Sequence, residues 1–157
     1  LDPEHIAFIQ TGVSISLASS APNRLPSMSR GLGCKVLARG RRVCVFVRRS
    51  QSEELLANIA ASGKVANVFS LPSTNRTVQL KGTDAHIVAF DTADEALVRK
   101  HIDEFVPEAV ALGTPEEMVR ALLSYQSEDL VMVVFTPTSG FDQTPGPKAG
   151  QPLPARP

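Results

Sequence analysis

The sequence predicts a mainly β domain with peripheral helices, its strands closing into a small antiparallel barrel. Three observations lead there. Short segments with the two-residue period of a half-buried strand recur along the chain, as in residues 13–17, where apolar and hydroxyl side chains alternate. Clusters rich in Pro, Ser and Asn punctuate them, at residues 21–26 and 72–75. Helical spacing is confined to a few segments between strands, so the sheet must protect its own edges, and closure does this.

The opening reads as a short helix: Asp2 caps it, Pro3 suits its first turn, Ile6, Phe8 and Ile9 are apolar, and Gly12 ends it. After the strand at 13–17 and the turn at 21–26, two strand segments, 29–38 and 42–48, flank Gly40 and suggest a tight hairpin. Ser52 begins a capping pattern, and Leu55, Leu56, Ile59 and Ala60 share one face of a helix ended by Gly63. Residues 64–71 return to strand character. After the turn at 72–75, residues 77–90 read as one long strand interrupted at Gly82 by a bulge or bend. Two helices follow, one over 92–105 and one from Thr114, with Pro115 at its first position and Glu116 and Glu117 near its positive end. Residues 130–135 form a continuously apolar strand. From Pro137 the composition shifts to Pro, Gly, Gln and Thr, which cannot fold independently. The expected organisation is a barrel domain over 1–136 and a Pro/Gly-rich tail over 137–157, pinned to the body at Phe141.

Composition narrows the function. Lys plus Arg and Asp plus Glu each number 16, so no global field draws the protein to nucleic acid or an anionic membrane. No apolar run approaches the roughly 20 residues that span a bilayer, and a cytoplasmic location is expected. Cys34 and Cys44 are too few for a disulfide framework and read as buried thiols. His5, His86 and His101 are dispersed without metal-ligand spacing, and no metal site is expected. Gly31 and Gly33 lack the third glycine of a dinucleotide fingerprint. Arg30, Lys35, Arg48 and Arg49 lie on neighbouring strand segments where they could converge on one anion, guanidinium groups supplying forked donors and Lys a point charge.

Arg30-Gly31-Leu32-Gly33-Cys34-Lys35, the run from Val47 to Ser52 and Arg76-Thr77-Val78, in that order within residues 26–82, resemble the pyridoxamine 5'-phosphate oxidase family, and the resemblance implies an FMN-binding split β-barrel. The segment Arg30-Gly31-Leu32-Gly33-Cys34-Lys35 matches the family's Arg, four residues, Lys pattern, which implies that Arg30 and Lys35 engage the flavin phosphate and that Gly31, Leu32 and Gly33 approach the cofactor with their backbone. The run from Val47 through Arg48 and Arg49 to Ser52 resembles the strand entering the helix beside the phosphate site. Arg76-Thr77-Val78 resembles the family's Arg-Gln-Val, which places Thr77 against the flavin. The sequence departs from the true oxidases at Val47 and Arg48, which replace Tyr and Thr, and at Glu53 and Glu54, which replace an Arg-Lys pair. The oxidases' Arg-x-His substrate segment is also absent. The tail from Phe141 to Pro147 resembles that of a bacterial side branch, and Asp142, Gln143 and Thr144 are expected to bond to the flavin ring as a flap.

The resemblance implies a homodimer with FMN at the subunit interface, and an FMN-dependent oxidoreductase served by a small molecule or NAD(P)H, with no catalytic side chain identified. A flavin-binding or flavin-sensing protein without turnover is the first alternative. The second is a dimeric split barrel that binds haem, through His5, His86 or His101, or binds no cofactor.

Overall fold

The computed structural model describes residues 1–154. Asp2 opens α1 (Pro3–Ile9), its carboxylate accepting from the His5 amide at 2.8 Å, and Phe8 and Ile9 point inward. The strands β1 (Ser14–Ser19), β2 (Ser27–Leu37) and β3 (Arg42–Arg48) follow. The β2–β3 connection is not a two-residue hairpin: it is a turn of 3-10 helix in which Ala38 and Arg39 adopt positive φ. Next come α2 (Glu53–Ser62), closed by Gly63 at φ 65°, then β4 (Val65–Ser70) and β5 (Thr77–Gly82).

The expected long strand over 77–90 is cut in two. After Gly82 the chain turns and starts β6 (His86–Ala89), which pairs with β7 (Leu130–Phe135) and not with β4. The sheet runs β6-β7-β3-β2-β1-β4-β5-β8, so β5 and β6, joined by three residues, lie at the seventh and first places. Such a link requires the sheet to curl until these strands meet. A Cβ on Gly82 would lie 2.7 Å from the Phe135 ring, which is why glycine marks the seam.

Between β6 and β7 stand α3 (Glu95–Ala111) and α4 (Glu116–Leu122). The first runs past the expected end at residue 105 and carries Pro107 within it. Pro removes one backbone donor, but Phe105 and Val106 are buried and hold this turn in place. Pro115 caps α4 from outside rather than opening it.

Two cores result. The barrel interior holds Ile15, Leu17, Val45, Val47, Phe69, Leu80 and Val133, closed by Phe8 of α1 and Leu55 and Ile59 of α2. The second lies outside the barrel, where Leu32, Cys44, Phe46 and Met132 meet Val98 and Phe105 of α3 and Val119 and Leu123 of α4. Strands β3 and β7 are therefore buried on both faces, and their side chains are apolar almost without interruption. By contrast β1 and β4 alternate between buried and half-buried, and no residue of β1, β4 or β5 joins the second core. Their outer faces are the part of the barrel that α3 and α4 leave open.

The tail is more ordered than its composition suggests. Ser139–Asp142 forms β8, paired with β5, and the chain then doubles back so that the Leu153 amide bonds the Gly140 carbonyl at 2.9 Å. Leu153 packs against the interior core. The expected barrel boundary at residue 136 thus falls one strand short of the sheet's end.

Candidate functional site

The outer face of β2, β1, β4 and β5 carries rows of cross-strand neighbours that the alternation of each strand fixes. One row runs from Arg30 to Ser16, Val68, Gln79 and Phe141. On one side lies the row Ser14, Ser70, Thr77, and on the other Met28, Ala18, Ala66, Lys81. The side chains over β1 and β4 are small, so the face forms a shallow floor spanning three strand spacings, roughly 14 Å. Ser14, Ser16, Val68 and Gln79 were not expected from the motifs. Their signal was the alternation itself: the outward positions of β1 hold Ser and Ala where a solvated strand ordinarily carries long polar side chains.

At one end of this floor Arg30 is half-buried, and its hydrogen bond among the described residues is to Ser14 Oγ, at 3.5 Å. The other expected basic groups divide. Lys35 is ion-paired with Asp94, just before α3. Arg48 is buried and donates to the Ser124 carbonyl at 2.8 Å, and desolvation lowers its pKa. Both cations thus have structural partners and do not stand open to a phosphate. Arg49 is exposed beside Asp129, whose carboxyl is held below the usual range chiefly by the Ser50 hydroxyl. Arg30 and Arg49 form no ion pair among the described residues. Glu53 and Glu54 occupy the first turn of α2, where they complement the positive end of the helix.

The segment from Gly31 to Gly33 does not present a free backbone loop. Gly31 faces the interior, where a Cβ would meet Ile15 at 2.6 Å and Val45 at 2.9 Å. Leu32 is fully buried under α3. A register shift between Gly31 and Cys34 contains Gly33, at φ 133°, with His101 packed over it. Val47 is in the barrel interior with 0% exposure, so its side chain cannot touch a ligand on the outer face. Ser52 precedes α2 without capping it, and its buried hydroxyl has no partner among the described residues. It faces the space by Ser27, Met28 and Ser29, which is polar and close to the Arg30 end of the floor.

At the far end of the floor the tail is bonded to β5. Thr77 donates its amide to Thr144 Oγ1 at 3.0 Å and accepts from the Gln143 amide at 2.8 Å. The Gln143 carboxamide lies 3.4 Å from that of Gln79. Asp142 accepts from the Thr144 amide at 2.8 Å, and this turn, Thr144's bonds first, holds its carboxyl below the ordinary range. Lys81 lies 5.0 Å from the Phe141 ring centre, fixing β8 to β5 from the same side.

The donor set fits FMN in outline. A phosphate out of water needs cationic or hydrogen-bonding partners, and Arg30 and the orphaned Ser52 hydroxyl are near one end, whereas Arg49 lines a separate hollow with Ala89, Phe90, Leu130 and Val131. A flavin ring edge needs donors and acceptors together, and Gln79, Thr77, Gln143 and Thr144 offer both at the other. Among the described residues no helix is long and apolar enough to cross a membrane, and no three His, Cys, Asp or Glu side chains are grouped to hold a metal ion.

No protein-family model and no curated protein matches the sequence. Solved structures do match the fold. An F420 reductase aligns with a TM-score of 0.54 at 18% identity over 89% of this chain and 98% of its own. A pyridoxamine 5'-phosphate oxidase-related, FMN-binding protein from Nostoc punctiforme aligns at 0.51 and 13% identity over 94% and 87%. HutZ, a heme storage protein from Vibrio cholerae, aligns at 0.51 and 15% identity over 90% and 94%. Among the described residues, eight antiparallel strands in one curled sheet flanked by four helices give this chain the fold of these structures, a split barrel.

Proposed function

We propose that this protein is a dimeric FMN-binding oxidoreductase, with the flavin lying across the outer face of β2, β1, β4 and β5 and a second copy of the chain covering it. The carrying observation is the open row from Arg30 through Ser16 and Val68 to Gln79, with Gln143 and Thr144 bonded in beside it. When bound, FMN supplies the redox chemistry. Arg30 holds its phosphate end with the Ser52 hydroxyl beside it, and the small side chains of β1 and β4 give the ring a flat seat. Gln79, Gln143 and Thr144 orient the ring edge. The tail excludes water from that edge, and the partner copy closes the opposite side. The Nostoc punctiforme protein, an FMN binder of the same fold, supports this choice of cofactor.

Arg30 is the test of the phosphate end. Arg30→Ala is expected to weaken FMN binding by about 1.5–3 kcal/mol, the range for hydrogen bonds to charged groups, in a barrel that stays folded. Fluorescence titration with FMN measures this, and an unchanged affinity removes Arg30 from the site. The tail is tested by Gln143→Ala rather than by truncation, because truncation strips the edge strand β8 as well. The lost hydrogen bond is expected to raise the FMN dissociation rate by about threefold to tenfold and to increase iodide quenching of the flavin. Equal rates and equal quenching place the tail away from the ring.

Haem binding is the second reading, favoured by the HutZ likeness. His101 is buried at 4% exposure with Nδ1 on the Thr11 carbonyl, so an iron ligand would come from the exposed His86 or from His5. Absorbance of the purified protein separates the readings: flavin bands support the first and a Soret band the second. Oxidation of NAD(P)H by the flavin-loaded protein distinguishes an enzyme from a flavin carrier.

A further inference from the structure

We infer a second ligand site beside the flavin face: a groove that takes a small organic acid, an apolar body carrying one carboxylate. It is a hollow of about 380 Å³ where β1, β4 and β5 run out next to Pro26. Its floor is the cross-strand pair Ala18 and Ala66, and Lys81 of β5 stands opposite Ala66 as one wall. Lys64, just before β4, lines the same hollow.

Three features select the occupant. The two methyl groups leave a depression that longer side chains would fill, and the apolar lining favours an apolar body by removing it from water. Among the described residues both titratable groups in the lining are ammonium groups, and no carboxylate lines the hollow. Neither Lys64 nor Lys81 is ion-paired among the described residues, so the local field favours an anion although the whole chain is neutral. A neutral apolar molecule would leave the Lys64 charge unmatched and Lys81 with the Phe141 ring alone, and a dianion would gain little from the methyl floor.

The position bears on function. Ala66 and Lys81 each lie two residues from members of the central row, Val68 and Gln79, on the same faces of the same strands, so the groove adjoins the floor at roughly 7 Å. Assigning its occupant as the flavin's substrate or product rests on the proposed function, whereas the groove's preference for an organic acid does not.

The test compares naphthoate with naphthamide, which share a ring system and differ in charge, using amide chemical shifts of the full chain. Naphthoate is expected to bind about fivefold to tenfold more tightly, with shifts centred on Ala18, Ala66 and Gly82, as two partly solvated ion pairs would give. Lys64→Gln with Lys81→Gln should abolish that preference, and Ala18→Leu should abolish binding of both compounds. Equal affinity for the two compounds, or shifts centred elsewhere, overturns the inference. So does competitive displacement of naphthoate by FMN, which would make the groove part of the flavin's own site. A separate FMN titration tests the flavin reading: absence of FMN binding with naphthoate still seated overturns that reading and leaves the acid-binding groove standing.

Discussion

Gly12→Ala is expected to destabilise the fold by about 3 kcal/mol, the upper end of what overpacking a close contact costs. The reason is space. A Cβ at Gly12 would stand 2.5 Å from both the Glu104 carbonyl oxygen and the Phe105 nitrogen, so the obstacle is the backbone of α3, which no rotamer change can move aside. Relief requires α3 to lift from the 11–13 segment, opening the second core at Phe105 and releasing the His101 bond to Thr11. Chemical denaturation of the purified variant measures the loss. A midpoint equal to wild type would show that α3 sits farther from this segment than the structure has it.

The second large effect is a pH dependence carried by His101. Burial, its largest cause, lowers the imidazole's pKa from 6.5 to about 4, against the opposing pull of the Thr11 bond and the Glu104 charge. Lys100 and Arg30 nearby push the same way as burial. The unfolded chain takes up this proton near pH 6.5 and the folded chain near 4, so between those values the unfolded state binds more protons. Stability from this group is complete above about pH 6.5 and falls as the pH drops to about 4. The loss is about 3 kcal/mol at the group's 4% exposure, where solvent screening is slight. His101→Gln, which retains a donor for the Thr11 carbonyl, should flatten the curve over this window. Denaturant midpoints of both proteins between pH 7 and pH 4 test this, and parallel curves would show that His101 titrates normally.

These two effects meet at α3, the element whose consequences were least legible in the sequence. The strands and α2 could be read locally because each carries its own period and its own stop, as Gly63 does for α2. The continuous apolar run of β7 and the alternation of β1 even indicate which faces are covered twice and which once. What could not be read locally is where distant segments meet. Gly82 looks like a bulge until Phe135 is placed against it. Lys35 and Arg48 look available until Asp94 and the Ser124 carbonyl reach them, 59 and 76 residues along the chain. Residues 139–142 have little strand propensity of their own, and they pair because β5 presents an open edge and Leu153 can return to the core. Among the motif residues, Arg30, Thr77 and the Asp142-Gln143-Thr144 turn lie along the open face, whereas the Leu32 side chain is buried under α3 and Val47 lies in the barrel interior.

In the proposed assembly FMN sits between two copies of the chain on that open face. Sedimentation of the protein with FMN, followed at a flavin wavelength, tests it most directly. The flavin is expected to travel with a species of twice 16.8 kDa, at one flavin per chain. Flavin travelling at that ratio with the single 16.8 kDa chain, or not travelling with protein at all, would contradict it.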